Sequence, residues 1–339
     1  MRNIDKFRGC LIGGAAGDAL GYAVEFKRED EIFSEYGKEG ITEYNLLPDD
    51  DVAEISDDTQ MTLFTAEGLL LAQENGYIDS IRDMYKCWYL TQSEKYPAQN
   101  ERQLSRLMSV PELFHRRCPG MTCMTAIGDG VKGTVNNHVN DSKGCGGVMR
   151  VAPIGLYFSD TSVPYAQSDM IGAEAAALTH GHDLGYIPAA ALVHIVRAVT
   201  ESDITLKDAV NDSVTAMEKL FSKAEHIANF TAIMQKAVHL AETDTDDLSA
   251  IHQLGEGWVA EETLTIAVYC ALKYENDFDK ALIAAVNHNG DSDSTGAVCG
   301  NILGAYLGYN AISQKYKERL ELHDLICETA DMLYHEQAE

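Results

Sequence analysis

Two short acidic segments have the residue types and spacing to bind a cation. The first is SDDT at residues 56–59, and the second is DSDST at residues 291–295, between Gly290 and Gly296. Each precedes a segment with helical apolar spacing, so side-chain oxygens here can cap a helix by accepting hydrogen bonds from free backbone N–H groups. Capping alone is one reading. It needs only one residue per helix, however, and the surplus of consecutive oxygen donors favours a metal site.

Chain geometry determines how these carboxylates can converge. Residues i and i+2 point to one side of an extended chain but about 200° apart on a helix. Asp291 and Asp293 can therefore converge only where the chain enters its helix, and Asp57 and Asp58 only at a helix start. Four clustered carboxylates raise one another's pKa values unless a cation neutralises them. Oxygen ligands without His or Cys favour magnesium, manganese or calcium over zinc, and the ligand number suits two ions sharing a carboxylate.

Other segments give weaker signals. GCGGVMR at residues 144–150 offers backbone N–H groups with little steric cover, as phosphate- or ribose-binding loops do, although a plain turn has the same composition. His180 and His182 could be core or surface histidines as readily as site residues, and Trp258 could serve only in packing. Asp18 lies in the small-residue run GGAAGDALG, and if that run is buried against other helices the carboxylate needs a partner.

The elements that must position these residues are predicted to be helices. Apolar residues recur at helical spacing while alternating strand patterns are nearly absent, which favours an all-α fold, a compact single-domain orthogonal helix bundle. A short extended piece is predicted around residues 41–47. No linker or repeat divides the chain, so we expect one domain over residues 1–339. The predicted helices cover residues 58–73, 80–93, 165–180, 187–199, 206–221, 226–241, 262–275, 278–288, 294–309 and 312–336.

Composition excludes several classes of function. The chain has 26 Lys and Arg against 53 Asp and Glu, a formal charge of −27, which repels nucleic acid and anionic lipid surfaces. No apolar stretch approaches the length of a membrane span, and the N-terminus lacks the apolar core of a signal peptide. The eight cysteines form no CxxC pair. We therefore expect reduced thiols and a cytoplasmic protein.

Six motifs together resemble the ADP-ribosylglycohydrolase family, which includes the ADP-ribosylarginine hydrolases and the dinitrogenase reductase-activating glycohydrolases. They are GGAAGDALGYAVEF, ISDDTQMTLFTAEGLL, GCGGVMRVAPIGL, LTHGHDLGY, GEGWVAEETLTIAVYCAL and NGDSDSTGAVCGNILGAYLG. The resemblance covers roughly residues 5–335 in the family's order. It implies an all-α fold with a binuclear magnesium or manganese centre in a cleft, and an enzyme that removes ADP-ribose from modified protein side chains.

The resemblance also implies roles for single residues. Glu25 matches a family glutamate near the metals that responds to substrate, which makes it a third catalytic candidate beside Asp57 and Asp58; without the family, a solvated helix-end residue is the simpler reading. Asp57 or Asp58 would activate or orient the attacking water. One ion would be held by Ser56, Asp57, Asp58 and Asp293, and the other by Asp291, Asp293 and Ser294. The implied substrate-binding residues are Gly144, Cys145, Gly146, Gly147, His180, Gly257 and Trp258.

Two segments bear on which linkage is cleaved. HRRCPGMTCMTA and GCGGVMR are similar to the arginine-directed branch, which predicts water attack at the anomeric carbon of N-linked ADP-ribosylarginine with the metals as Lewis acid and template. VAEETL after Trp258 is closer to bacterial members of broader or unknown specificity.

Two alternatives stay open at this point. One is a hydrolase of another ADP-ribosyl linkage, and the other is a non-catalytic ADP-ribose binder or immunity protein, against which the intact ligand set argues. The expected partners are an ADP-ribosylated protein and ADP-ribose, with an ADP-ribosyltransferase toxin or its target as a further candidate. We expect no membrane and no general nucleic-acid partner.

Overall fold

The computed structural model describes residues 2–47, 51–72, 76–98 and 105–336. Within these ranges the chain forms 15 α-helices and no strand, with isolated β-bridges only. The predicted all-α fold is confirmed. No helix of the described ranges is both long and apolar enough to cross a membrane, and all eight cysteines are free thiols.

The helices, numbered in chain order, are α1 Ile4–Tyr22, α2 Glu29–Tyr36, α3 Asp57–Leu70, α4 Tyr77–Ser93, α5 Met121–Gly128, α6 Ala152–Tyr157, α7 Tyr165–Ala177, α8 Asp183–Glu201, α9 Leu206–Leu220, α10 Ile227–Ala241, α11 Asp247–Leu254, α12 Ala260–Lys273, α13 Phe278–Val286, α14 Ser292–Leu307 and α15 His323–His335. Short 3₁₀ turns occupy Arg106–Ser109, Pro111–Leu113, Cys145–Gly147, Tyr309–Ala311 and Gln314–Tyr316. Helix α8 is buried along nearly its whole length, and α6, α7, α9, α12 and α14 pack against it.

The closest helix pair is α1 against α14, where the two backbones touch. A Cβ atom on Gly13 would lie 2.3 Å from the carbonyl oxygen of Gly300, and one on Gly17 would lie 2.0 Å from that of Gly296. Only glycine permits this approach. Close burial thus offsets the low helix propensity of the GGAAGDALG run, as the sequence required, although α1 itself was not among the predicted helices.

Several predicted boundaries are wrong. Residues 312–336 are not one helix. Residues 41–47, predicted as a short extended piece, are irregular chain outside any helix. Within residues 312–336 a 3₁₀ turn is followed by irregular chain, and Leu322 adopts a left-handed conformation with φ of 56° just before α15 begins at His323. Apolar spacing continues through this break because both sides of it pack on the same core. Residue 73, the predicted end of α3, lies outside the described residues.

Candidate metal centre and substrate cleft

Helix α3 begins at the first acidic motif and is held there by α1. Ser56 is the N-cap, and its Oγ accepts the backbone N–H of Asp58 at 3.1 Å. The predicted partner of Asp18 is found here, since its carboxylate accepts the backbone N–H of Ser56 at 3.0 Å and of Thr59 at 3.1 Å, as well as the Thr59 hydroxyl. Capping therefore uses Ser56 and Asp18 and leaves Asp57 and Asp58 for another role.

Helix α14 begins at the second acidic motif. Asp291 is the N-cap and accepts the backbone N–H of Ser294 at 3.3 Å, while Asp293 accepts the same group at 2.9 Å. Gly290 precedes them with φ of 123°, and a Cβ there would lie 1.9 Å from the carbonyl oxygen of Glu256. A glycine at this position lets the acidic turn approach the segment before α12.

The two acidic helix starts meet. The Ser294 hydroxyl donates a hydrogen bond of 2.8 Å to the carboxylate of Asp58, 236 residues away in the chain. Helix α1 lies against both starts, since Asp18 binds the Ser56 backbone and Gly21 faces the carbonyl oxygen of Ser292. This contact excludes the reading in which each acidic motif merely finishes its own helix.

A cleft of about 290 Å³ opens at this junction. The predicted site residues that line it are Glu25, Asp57, Asp58, Gly144, Cys145, Gly146, His180, Trp258, Asp291, Asp293 and Ser294. Ser56, Gly147 and Gly257 do not line it. Gly147 packs against Ala176, and Gly257 packs with φ of 82° against the backbone of Asp291, so both sit one layer behind the cleft wall.

The carboxylates of the cleft face no compensating basic side chain in its described lining: among the described residues that line the cleft, none is Lys or Arg. Burial, together with the charge of Asp293, raises the pKa values of Asp57, Asp58 and Asp291 well above their usual range. Such a cluster either takes up protons or binds a cation.

Glu25 completes the acidic cluster. One carboxylate oxygen of Glu25 lies within 4.8 Å of one oxygen each of Asp291 and Asp293, and Oε2 of Glu25 is buried without a hydrogen-bond partner. Burial and the neighbouring aspartates raise its pKa to about 11. A buried oxygen with no partner is costly unless an ion or a water satisfies it, so this atom fits a cation site with carboxylate and hydroxyl donors, the ligands that Mg²⁺ and Mn²⁺ prefer.

The glycine-rich loop forms the opposite wall. Cys145 donates its backbone N–H to the carbonyl oxygen of Trp258 at 3.2 Å, and its thiol donates to Asp291 at 2.8 Å. His180 lies under the loop, where a Cβ on Gly146 would be 3.0 Å from its ring. Burial and the nearby Arg150 guanidinium lower the pKa of His180 to about 3, so the imidazole is neutral.

An aromatic pair that sequence reasoning missed stands at the mouth of the cleft. Phe26 and Trp258 stack with ring centroids 6.2 Å apart and an interplanar angle of 21°. Both are unusually exposed for such large rings, at 69% and 40%. Cys118, Met121, Thr122, Cys123 and Met149 also line the cleft and were not predicted. Phe26 is the last residue of the motif GGAAGDALGYAVEF, but no local sequence pattern predicts its contact with Trp258, 232 positions later.

Comparison with known proteins now places the chain. The family model described as ADP-ribosylglycohydrolase matches residues 1–339. The chain belongs to the ADP-ribosylglycohydrolase family. An uncharacterized protein of Archaeoglobus fulgidus is 30% identical over 340 residues, which cover 97% of this chain and 96% of that protein.

Two further relatives have names that state an activity, and only one of the names specifies arginine. The ADP-ribosylhydrolase ARH3 of Mus musculus is 24% identical over 99% of this chain and 94% of its own length. The ADP-ribosylarginine hydrolase Tri1 of Serratia proteamaculans is 24% identical over 98% of this chain and 80% of its own length. A solved structure titled ADP-ribosylglycohydrolase-related protein complex superposes with a TM-score of 0.67 at 24% identity and covers 99% of both chains, which supports the fold.

Membership in the ADP-ribosylglycohydrolase family makes this chain a hydrolase that removes ADP-ribose. The family is metal-dependent, and this member has acidic groups able to hold a metal. The linkage, the ligand assignments and the choice of ion are not decided by family membership.

Proposed function

We propose that this ADP-ribosylglycohydrolase is an ADP-ribosylarginine hydrolase that cleaves the N-glycosidic bond between ADP-ribose and an arginine side chain of a modified protein. The supporting observation is the contact between the two acidic helix starts, with Ser294 bound to Asp58 at 2.8 Å. That contact gathers four aspartates and Glu25 around one cleft whose described lining contains no basic side chain.

The proposed cofactors are two Mg²⁺ or Mn²⁺ ions. Ser56, Asp57, Asp58 and Asp293 would hold one, and Asp291, Asp293 and Ser294 the other, with Asp293 shared. When bound, the ions supply Lewis acidity and a template for the ribose hydroxyls and the attacking water. Ser56 fits this role although it caps α3, because a hydroxyl oxygen has two lone pairs and the cap uses one.

The protein's own groups would handle the proton and orient the substrate. Asp57 or Asp58 accepts a proton from the attacking water. The water oxygen bonds to the anomeric carbon, the carbon–nitrogen bond breaks, and its electron pair leaves with the guanidine, which regains a proton and becomes arginine. The loop at Gly144, Cys145, Gly146 and Gly147, with neutral His180 beneath it, binds the ribose or diphosphate.

Arginine is proposed as the leaving side chain because the mouth of the cleft suits a guanidinium. The exposed faces of Phe26 and Trp258 there can stack on that planar cation. Gly257, directly before Trp258, would set the position of that ring. The name of the relative Tri1 refers to the same linkage, whereas several relatives named ADP-ribosylhydrolase ARH3 make another linkage the outcome to test against.

The test measures ADP-ribose release from arginine-modified and from serine-modified protein. We expect release from the arginine substrate with Mg²⁺ or Mn²⁺, none with EDTA, and none from Asp293→Asn. Asp30→Asn is the matched control, because Asp30 is an exposed aspartate in the first turn of α2, and it should keep full activity.

Each result has a defined meaning. Activity that survives both EDTA and Asp293→Asn would refute the metal mechanism. Release of ADP-ribose from the serine-modified protein alone would mean that the chain is a hydrolase of the serine linkage and not of the arginine linkage. No release from either substrate, together with tight ADP-ribose binding, would favour a non-catalytic binder.

A further inference from the structure

A second cavity of about 630 Å³ lies beside the glycine-rich loop and contains a different kind of polar cluster. We call it the side cavity. It is lined by residues of α8, α10 and α12 together with Lys143 and Gln253, and it shares no lining residue with the acidic cleft. Its polar wall includes His182 and His226, and the buried Asp183 lies between them.

The donor atoms of these three residues converge. Asp183 Oδ1 lies 3.0 Å from Nδ1 of His182 and 2.9 Å from Nδ1 of His226. One ligand atom from each residue fits within 4.8 Å of the others. The two imidazole rings face each other with centroids 4.7 Å apart at 36°. Two imidazole nitrogens and one carboxylate oxygen therefore surround one point at the edge of a solvent-accessible cavity.

The cluster is held in place by the backbone. The N–H of Leu184 donates to Asp183 at 2.8 Å and to His182 Nδ1 at 3.0 Å, and the N–H of His226 donates to Asp183 at 2.8 Å. These bonds fix the carboxylate and one ring at the start of α8. Preorganised ligands lose less conformational freedom when an ion binds.

We propose that His182, Asp183 and His226 form a site for one Zn²⁺-class transition-metal ion, distinct from the acidic centre. The donor chemistry separates the two sites, because two imidazoles with one carboxylate suit zinc, whereas an all-oxygen set suits Mg²⁺ or Mn²⁺. The side chains of His182 and His226 are 17% and 35% exposed, which leaves room for a water as the fourth ligand.

Binding requires a small adjustment and one proton rearrangement. Bonds of about 2.1 Å in a tetrahedron place ligand atoms about 3.4 Å apart, so the present contacts of 2.9 and 3.0 Å must open by a few tenths of an ångström. Nδ1 of His226 must give up the proton that it shares with Asp183, either to solvent or by a tautomer change to Nε2. Leu184 N–H keeps Asp183 as its acceptor when His182 Nδ1 turns to the ion.

Two features oppose a cation, and the site must overcome them. Lys143 and Lys236 line the side cavity. In addition, α8 and α10 both begin at the cluster, with His182 and His226 as their N-caps, so two helix dipoles have their positive ends there. Lys143 is paired with Glu261, however, and Lys236 donates to the carbonyl oxygen of Gln253 at 2.6 Å. The negative charge of Asp183 and the three donor atoms remain available to the ion.

The test is calorimetric titration of the full chain with Zn²⁺, in excess Mg²⁺ to fill the acidic centre. We expect about one zinc per chain for the wild type and for Asp293→Asn. His226→Asn and His182→Asn should weaken binding at least about 10-fold. Asparagine at 182 can still cap α8, so that variant separates metal binding from folding. Cys118→Ser controls for zinc on the exposed thiol and should bind as the wild type does.

The melting temperature without zinc shows that each variant is folded. A wild type that binds no zinc overturns the proposal, and so does a folded His226→Asn that binds zinc as tightly as the wild type. Loss of binding in Cys118→Ser or Asp293→Asn, with His226→Asn unaffected, would assign the zinc to the acidic cleft.

Discussion

Two largely buried polar clusters in this ADP-ribosylglycohydrolase differ in how their charges are balanced. In the first, which we call the α7–α9 network, His194 lies between Asp169 at 2.9 Å and Asp212 at 3.2 Å. Beside it Arg197 stacks on the ring of Tyr165 and donates to the Ser168 hydroxyl at 2.9 Å. Positive and negative groups alternate, so the charges of the network are balanced within the chain, although Oδ1 of Asp169 is buried without a hydrogen-bond partner.

The acidic centre differs because its charges all have one sign. Burial raises the pKa values of Asp57, Asp58, Asp291, Asp293 and Glu25, and the charge of Asp293 raises those of the other four further. These carboxylates meet no basic side chain among the residues described in the cleft. A folded chain tolerates such repulsion where something from solution completes the cluster. We therefore expect the α7–α9 network to stabilise the fold and the acidic centre to serve the protein's function.

The largest effect should come from breaking the charge-balanced α7–α9 network. Asp169→Asn removes the negative charge of a side chain that is 1% exposed and that pairs with His194 at 2.9 Å. We expect a loss of about 3 kcal/mol in the free energy of unfolding, the usual cost of breaking a buried ion pair, with activity retained at temperatures where the protein is folded. Urea denaturation measures it. A change below about 1 kcal/mol would show that the network is not a stabilising pair.

Metal binding to the acidic centre should have the next largest effect. Mg²⁺ or Mn²⁺ at about 100 times its Kd should add about 2.7 kcal/mol to the free energy of unfolding through binding to the native state. Asp293→Asn should abolish that gain because the shared ligand is lost, and Asp169→Asn should keep it. Thermal melts across a metal titration measure both. An equal gain in Asp293→Asn would place the ions elsewhere.

A third variant should change activity and stability in opposite directions. Asp58→Asn removes one of the mutually repelling carboxylates, so the metal-free protein should gain about 1 kcal/mol, while hydrolysis falls at least about 100-fold. Asparagine can still accept the hydroxyl hydrogen bond of Ser294. Activity and melts in EDTA measure the two effects. A metal-free protein that is less stable than the wild type would contradict the electrostatic reading.

Much of the acidic centre was readable from the sequence. Consecutive oxygen donors at two helix starts predicted that residues 57 and 58 meet residues 291–294, and the small-residue run around Asp18 predicted a buried carboxylate with a partner. These predictions were possible because each depends on the residue types within one short segment. The ligand assignments and the single domain over residues 1–339 stay predictions.

The features that sequence analysis missed depend on distant pairs. Helix α1 has poor local propensity and becomes understandable only when Gly13 and Gly17 are seen against Gly300 and Gly296, although the four-residue spacing of glycines in both segments was a usable signal. The stack of Phe26 on Trp258 had no such signal. The break at Leu322 was hidden because apolar periodicity reports burial and not backbone conformation.

The smallest effect that we predict is a pH dependence of the α7–α9 network. Burial lowers the pKa of His194, but its bonds to Asp169 and Asp212 outweigh this and raise it overall, and burial raises the pKa of Asp169. Both groups then hold protons more tightly in the folded than in the unfolded chain, so stability falls as pH rises. Above about pH 6.5, the unfolded value for histidine, the loss comes from His194.

The measurement that isolates this effect is urea denaturation in EDTA between pH 6.5 and 8.5. We compare the wild type with His194→Asn, which is less stable overall but has no imidazole at this position. The two proteins share the acidic centre, so their difference cancels its titration. The stability difference should shrink as pH rises, because the wild type loses the imidazole proton and the variant has none to lose, while Asp169, whose pKa burial raises, is present in both proteins. A difference that is constant, or that grows with pH, would mean that His194 is neutral in the folded protein and that the network is held by hydrogen bonds alone.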